Sequence, residues 1–289
     1  MAPPDDKPKK KQQFDLINRG VKRPTPLGTA TFIGMRLADL PWQYHLLHNG
    51  AAERALSAVG LSTLAATAAT NTVSTTGIAL LDQLDLPLPR LLLLAMAAGS
   101  TAKQIFWLTY LSAEEFPVRA TVPVAVFNTV FNSLSAVLVA GAATSSLVGS
   151  GPRLSLLLGD SVLPAAVSDL PLSVAVGTLL YVAGITIETL SEYQRKRFKQ
   201  APQNQGKVCK VGLWRWARHV NYFGYALWRG GYAMAGCGWV GGLLTGLWMG
   251  WDLSSRAAGI LDEYCGKRYG EQWTQFKKEV PYRIVPGLY

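Results

Sequence analysis

The chain has 289 residues, of which 49% are hydrophobic and only 16% are charged, and its net charge is +10. The length alone would accommodate two soluble domains, but this composition is typical of a membrane protein. The positive charge would also suit nucleic acid, so its distribution along the chain has to decide between the two partners.

The first fifty residues are basic and contain no apolar core long enough for a signal peptide. We therefore predict that residues 1–50 form a basic cytosolic tail that ends in the segment "FIGMRLADLPWQYHLLHNG". This segment mixes apolar and polar residues and contains Trp42 and Tyr44. It would lie along the membrane interface or form an ordinary loop.

Four long apolar stretches follow within residues 51–187. Residues 55–81 and 120–148 carry no charge, and each is long enough to cross a hydrocarbon layer of ~30 Å. Residues 91–111 are apolar apart from Lys103 and Gln104, and residues 172–187 are apolar up to Glu188. Residues 223–235 and 238–251 are shorter and rich in glycine, and they predict a short helical hairpin that contains Arg229.

These elements predict an all-α polytopic membrane protein with about six transmembrane helices, the short hairpin included, and a cytosolic C-terminal helix. Lys and Arg concentrate in the first fifty residues, between residues 191 and 220, and after residue 253. Six crossings place all three blocks on the cytosolic side together with both termini, as the positive-inside rule expects. Nucleic acid is therefore not required as a partner, and the lipid bilayer is.

Polar residues within the predicted spans have two interpretations. Lys103 and Arg229 either line a functional cavity or extend toward the nearer interface. Asn128 and Asn132 lie on one helix face, where interhelical hydrogen bonds are expected. The three histidines and three widely spaced cysteines predict no metal site.

Glu188 and Glu192 lie one helical turn apart and repel each other unless cations compensate. Arg195, Lys196 and Lys199 either form local ion pairs with these acids or hold a phosphate in a cavity. The stretch "GLWRWARHVNYFGY" that follows suits an anion together with a flat ring, or an interfacial aromatic belt.

Two motifs carry a family resemblance that covers residues 188–289. "GLWRWARHVNYFG" resembles the Gly-Leu-Trp and Arg-His-Pro-Asn-Tyr-Phe-Gly signature of the steroid 5-alpha-reductase-like membrane reductase family. "DEYCGKRYGEQWTQFKKEVPYRIVPGLY" is similar to the C-terminus of the sterol C14-reductases, which belong to this family together with the sterol-reductase part of the lamin B receptor.

The resemblance implies that residues 188–289 form an α-helical region that binds NADPH from the cytosol. The cofactor-binding positions that it implies are Glu192, Lys199, Arg218, His219, Asn221, Tyr222, Arg256, Asp262, Arg268, Tyr269 and Trp273. "YLSAEEFP" is similar to the element that carries the catalytic glutamate of the 5-alpha-reductases, which makes Glu115 the catalytic candidate. Glu114 is the alternative, and a plain surface carboxylate is the other interpretation.

Two positions depart from the family pattern, because Val220 replaces a proline and Tyr225 replaces an acid. The resemblance implies an NADPH-dependent reductase of a C=C bond in a lipid or sterol-like substrate, located in the endoplasmic reticulum. One alternative is an enzyme that uses S-adenosylmethionine and resembles the isoprenylcysteine carboxyl methyltransferases. The other is a non-catalytic member of the fold.

Overall fold

The computed structural model describes residues 20–63, 78–112, 114–159 and 165–289. These residues form helices and two isolated β-bridges, and no strand occurs among them. The helices are α1 (Pro26–His48), α2 (Ala51–Ala58), α3 (Ala79–Asp82), α4 (Leu88–Phe106), α5 (Val118–Leu138), α6 (Ala142–Gly149), α7 (Ser155–Leu158), α8 (Ala165–Ser168), α9 (Leu172–Gln200), α10 (Val220–Asp252), α11 (Ala258–Tyr269) and α12 (Glu271–Glu279). The predicted all-helical class is confirmed for the described part of the chain.

Helix α1 differs from the expectation of an interfacial segment or a loop. It packs against α5, and its residues Arg36, Asp39 and Gln43 are buried. The Asp39 carboxylate accepts hydrogen bonds from Arg36 at 2.8 Å, from Gln43 at 2.9 Å and from Asn132 of α5 at 2.9 Å. The polar residues of this segment therefore form hydrogen bonds with one another and with α5 inside the helix bundle.

Among the described residues, three helical segments are long and apolar enough to cross a membrane, namely Leu88–Leu111, Val118–Leu138 and Leu172–Gln200. They coincide with three of the predicted spans, although the second ends at Leu138 rather than at residue 148. The predicted span at residues 55–81 is not one continuous helix, because α2 ends at Ala58 and residues 59–62 are not helical. Its residues 64–77 lie outside the described residues.

The predicted hairpin is present within α10. Gly238 interrupts the helix with a positive φ of 75° and a ψ of −170°, a conformation that glycine adopts without steric cost. The two arms then pack against each other, since a Cβ added to Gly230 would lie 3.1 Å from the Cα of Gly246. Glycine at these positions permits the close approach of the arms that forms the hairpin.

Glycines also bring α9 and α10 into backbone contact. A Cβ added to Gly184 would lie 2.4 Å from the backbone nitrogen of Trp228, and one added to Gly231 would lie 2.5 Å from the carbonyl oxygen of Gly177. Small residues at a helix interface are a common way to pack membrane helices. Trp228, Tyr181 and other buried side chains of the main core cluster surround this contact.

We predict that Gly231→Ala lowers the stability of the protein. The added methyl group would overlap the backbone of α9, and overpacking of this kind costs about 1–3 kcal/mol. Thermal unfolding in detergent or nanodiscs would measure the effect. The matched control is Gly259→Ala in α11, where no atom lies within 4 Å of the added Cβ. Equal unfolding temperatures for the two variants would contradict the close contact between α9 and α10.

Candidate functional site

A cavity of about 730 Å³ opens where the C-terminal end of α9 meets the start of α10 and helices α11 and α12. We call it the basic cavity because its lining contains six cations and two acids. The cations are Lys22, Arg195, Lys196, Lys199, Arg218 and Arg268, and the acids are Glu114 and Glu192. The structure brings eight of the predicted cofactor-binding residues to this lining, namely Glu192, Lys199, Arg218, His219, Asn221, Arg268, Tyr269 and Trp273.

Lys199 and Arg218 are held by neutral groups. The Lys199 ammonium donates to the Tyr269 hydroxyl at 2.9 Å and to the carbonyl of Lys207. The Arg218 guanidinium donates to the carbonyl of Val280 at 2.7 Å. Burial lowers the pKa of Arg218 from its ordinary value although Asp262 partly opposes this, yet the group remains charged at neutral pH. Neither cation is neutralised by these hydrogen bonds.

The remaining cations of the basic cavity lie on α9 and α11, and they have partners of different kinds. Arg195 pairs with Glu192 at 2.5 Å, which is the predicted local ion pair. Lys196 instead donates to the carbonyl of Tyr110. Arg268 donates to the Tyr264 hydroxyl at 2.5 Å. Most of the positive charge in the lining therefore stays available to a ligand.

Glu192 and Asn221 form the polar centre of the basic cavity. The Asn221 amide donates to the Glu192 carboxylate at 2.8 Å, across the contact between α9 and α10. Asn221 Oδ1 is buried and has no hydrogen-bond partner in the described residues. Together the two side chains present an acceptor and a carboxylate to a ligand that donates hydrogen bonds.

His219 lies directly before α10 and is 2% exposed. Its ring stacks on Tyr222 with 5.4 Å between centroids, and its Nε2 lies 3.9 Å from Asp262 Oδ1. Burial lowers the pKa of His219, although the Asp262 carboxylate opposes this shift. Burial alone would raise the pKa of Asp262, but His219 and Arg283 lower it overall. A neutral imidazole therefore faces an ionised carboxylate at neutral pH.

Three of the predicted site residues lie elsewhere. Tyr222 packs on His219, and Asp262 lies between His219 and Arg283. Neither residue lines the basic cavity. Arg256 pairs with Asp252 at 2.6 Å and lines a different cavity. Arg256 and Asp262 thus have separate partners.

Glu115, the catalytic candidate, is not brought to either cavity lining. Its carboxylate accepts hydrogen bonds from Arg23 at 2.5 and 3.1 Å, and its backbone nitrogen donates to Val21. These contacts fasten residues 21–23 to the loop before α5. Glu114, the alternative, lines the basic cavity and accepts a hydrogen bond from the backbone nitrogen of Gly20 at 3.0 Å. The structure therefore favours a structural role for Glu115.

A second cavity, of about 560 Å³, lies between α4, α5 and α10. We call it the apolar cavity because most of its lining is aromatic or aliphatic, including Phe32, Phe116 and Phe127. Lys103 lines it in an ion pair with Glu188, which favours the cavity interpretation of this lysine over snorkelling. Trp107 lines both cavities and forms part of the wall between them.

The two asparagines of α5 make the expected interhelical hydrogen bonds. Asn132 donates to Asp39 of α1, and the Asn128 carbonyl accepts from Gln104 of α4 at 2.6 Å and from Arg229 of α10. Arg229 is 2% exposed and lies in the interior of the helix bundle rather than extending to an interface.

The two departures from the family pattern lie in different surroundings. Val220 is fully buried at the first position of α10, where it packs with Trp214 and Ala217. Proline suits the first position of a helix, where the backbone N–H has no partner within the helix. Valine is also accommodated at this position, and its side chain is buried. Tyr225 lines the apolar cavity, and its hydroxyl accepts from Arg229 at 3.3 Å. Neither departure removes a side chain from the basic cavity.

Sequence reasoning missed several lining residues. Trp107 and Tyr225 lie inside apolar stretches, and Lys22 lies in a segment expected to be a tail. No local pattern marks such residues, because long-range packing alone brings them to a cavity. Arg195 and Lys196 were recognised, but whether they face a cavity depends on the rotation of α9 within the bundle.

Comparison with known proteins gives the family. A family model described as "Protein of unknown function (DUF1295)" matches residues 159–280. The chain is 30% identical over 254 residues to "Probable O-methyltransferase ustE" from Ustilaginoidea virens, and the alignment covers 88% of this chain and 84% of that protein. The chain therefore belongs to the DUF1295 family of steroid 5-alpha-reductase-like membrane proteins, as the two sequence motifs indicated.

Sterol reductases match a smaller part of the chain. It is 30% identical over 161 residues to "Delta(14)-sterol reductase" from Neurospora crassa, with 40% of this chain and 33% of that protein covered. It is 28% identical over 144 residues to "Probable 7-dehydrocholesterol reductase" from Acanthamoeba polyphaga mimivirus, with 42% and 32% covered. The chain thus spans about a third of the length of these two relatives, whose names are those of enzymes.

We predict that His219 makes the stability of the protein depend on pH. Its pKa in the folded protein lies below the ordinary value of about 6.5, so the unfolded chain binds the proton more readily. The contribution of neutral, buried His219 to the free energy of unfolding is therefore complete above about pH 6.5, and it is lost as the pH falls below that value.

Thermal unfolding between about pH 5 and 7.5 tests this dependence. The wild-type protein should lose stability over the acidic part of this range, and His219→Gln should flatten the dependence. An unchanged pH profile in His219→Gln would show that His219 is not the responsible group. The exposed His48 supplies the control variant His48→Gln, which should keep the wild-type profile.

Proposed function

We propose that this protein is a membrane-embedded, NADPH-dependent reductase of a C=C bond in a lipid or sterol-like substrate. The observation that carries the proposal is the excess of cations over acids in the lining of the basic cavity. The named sterol-reductase relatives support the same reaction class, since each of them aligns with about two fifths of this chain.

The charge of the basic cavity distinguishes between the candidate cofactors. NADPH carries several negative charges on its phosphate groups, and Arg and Lys are the usual partners of such groups. S-adenosylmethionine has a sulfonium and an ammonium group against a single carboxylate, so its net charge is positive. A cavity whose cations are held mainly by carbonyls and hydroxyls favours the polyanion and repels the cation.

Buried polar atoms without partners also fit a nucleotide ligand. Among the described residues that line the basic cavity, these atoms are Arg218 Nε, His219 Nε2, Asn221 Oδ1 and Trp273 Nε1. Buried groups of this kind are rare unless something else satisfies them. NADPH offers donors in its carboxamide and ribose hydroxyls and acceptors in its phosphates, so it matches both kinds of atom.

The chain's own residues have distinct proposed roles around that ligand. Lys199, Arg218 and Arg268 would hold phosphate oxygens, while Asn221 and Glu192 would accept hydrogen bonds from ribose or carboxamide groups. Tyr269 and Trp273 would supply flat surfaces for rings. When bound, NADPH supplies the hydride for the reduction.

The apolar cavity is the proposed substrate site. Its volume lies within the usual range for small-molecule pockets, and its lining is mainly hydrophobic with a few polar groups. Because Trp107 lines both cavities, a substrate in one and a nucleotide in the other would meet near its ring. The junction of the two cavities beside Trp107 is the proposed location of the reaction.

We further propose that the basic cavity faces the cytosol, from the endoplasmic reticulum membrane, with both termini on that side. Lys22 near one end of the chain and Arg268 near the other line the same cavity. This arrangement agrees with the positive-inside rule. It also gives the cavity access to the cytosolic nucleotide pool.

Methyl transfer from S-adenosylmethionine is the second candidate function. One observation favours it, because the relative named as a probable O-methyltransferase aligns over most of the chain, whereas the two sterol reductases align over less than half. The cation excess of the basic cavity opposes this candidate. A third possibility, a non-catalytic member of the fold, would bind NADPH without turnover or bind neither cofactor.

We predict that the purified protein in nanodiscs binds NADPH and not S-adenosylmethionine. Arg268→Gln and Asn221→Ala should each weaken NADPH binding about tenfold or more, because each removes a polar contact in a partly buried site. Calorimetry gives both affinities. The matched control is Arg54→Gln, an exposed arginine of α2 outside the basic cavity lining, which should leave binding unchanged.

Transfer of label from deuterated NADPH to a panel of unsaturated lipids then tests turnover. Binding of S-adenosylmethionine in preference to NADPH would replace the proposal with the methyltransferase. NADPH binding without transfer to any lipid would favour the non-catalytic member. Unchanged NADPH affinity in both Arg268→Gln and Asn221→Ala would refute the assignment of the site.

A further inference from the structure

Tyr225 is one of the polar groups of the apolar cavity lining that keep an unused hydrogen-bonding atom, as Gln104 does at its acceptor Oε1. Lys103 pairs with Glu188, Gln104 donates to Asn128, and Arg256 pairs with Asp252. The Tyr225 oxygen accepts a hydrogen bond from Arg229 Nε at 3.3 Å, and its own proton has no acceptor among the described residues. Tyr225 therefore has a hydrogen-bond donor to offer within a mainly hydrophobic space.

Arg229, which lies behind Tyr225, is a buried cation with neutral partners. Its guanidinium donates to Asn128 and Tyr225 and lies over the rings of Trp228 at 4.2 Å and Phe127 at 5.6 Å. Within the described ranges, no carboxylate forms an ion pair with it. The aromatic faces stabilise the charge in part, but a buried charge without a counter-charge remains costly and usually has a function.

The two side chains reinforce each other as a site for an oxygen atom. A hydrogen bond from a guanidinium to the phenol oxygen makes the phenol O–H a stronger donor. The nearby positive charge also stabilises negative charge that develops on a bound acceptor, and it disfavours a cationic group at the same place. The preferred ligand group is therefore a carbonyl-type oxygen on an otherwise apolar molecule.

We propose that Tyr225, polarised by Arg229, binds the oxygen of the apolar substrate. Tyr225 then contacts the substrate directly, and Arg229 acts through it as a positioning and polarising residue. The inference takes its chemical meaning from the proposed reductase function, since an oxygen held in this way withdraws electrons from a conjugated C=C bond. The tyrosine that replaces the family's acid supplies a neutral donor at this position.

The test uses two probes of the same shape, a cyclohexenone with a decyl chain and the matching decylcyclohexene, added to the protein in nanodiscs. Equilibrium partition of each probe, labelled with tritium, between protein-containing and empty nanodiscs measures their affinities. The wild-type protein should bind the ketone about tenfold more tightly than the hydrocarbon, after correction for partition into empty nanodiscs. Tyr225→Phe should abolish this preference.

The control Tyr193→Phe alters a more exposed tyrosine of α9 that lines neither cavity, so the preference should persist. A ketone preference that survives in Tyr225→Phe would overturn the proposal. Infrared spectroscopy of the ketone bound to the wild-type protein gives a second readout that needs no variant. The carbonyl stretch should shift to lower frequency than in hexane, and an unshifted band would also overturn the proposal.

The affinity for NADPH is measured on the same samples and separates this inference from the proposed function. Tyr225 does not line the basic cavity, so Tyr225→Phe should bind NADPH as the wild-type protein does. Absence of NADPH binding together with a Tyr225-dependent ketone preference would refute the reductase and keep the oxygen site. NADPH binding without any ketone preference would refute the oxygen site alone.

Discussion

The backbone contact between α9 and α10 is the constraint on which both cavities depend. Glycines on each helix remove the side chains that would separate them, so that Gly184 and Gly231 leave room for only the facing backbone. Because the two helices lie this close together, side chains of α9 and α10 form hydrogen bonds directly with each other. Trp228 donates to Glu188 at 2.7 Å, and one turn further along α9 Asn221 donates to Glu192 at 2.8 Å.

These two hydrogen bonds involve glutamates that line two cavities of different chemical character. Glu188 belongs to the apolar cavity together with Lys103, whereas Glu192 belongs to the basic cavity. The two glutamates that repel each other in an isolated helix are thus compensated separately, by different partners. A charged ligand in the basic cavity and an apolar ligand in the apolar cavity would be neighbours beside the ring of Trp107.

Sequence patterns predicted the parts of this structure that depend on local composition. Glycine content and length predicted the α10 hairpin, and apolar runs predicted three spans. The family resemblance over residues 188–289 supplied eight of the residues that line the basic cavity. Patterns could not give contacts that depend on how helices rotate and pack against one another. Hence residues 32–50 were expected to lie along the interface or to form a loop, and the pairing of the Glu115 carboxylate with Arg23 was not foreseen.

We propose that the excess positive charge of the basic cavity binds the phosphates of a pyridine nucleotide. The dependence of NADPH affinity on ionic strength measures this attraction, because salt screens exposed charges beyond about 10 Å at 0.1 M. We expect NADPH affinity to fall steeply as salt is raised in wild-type nanodiscs, while S-adenosylmethionine stays unbound throughout. An NADPH affinity that does not change with salt, or the absence of NADPH binding at low salt, would show that this charge does not hold the nucleotide.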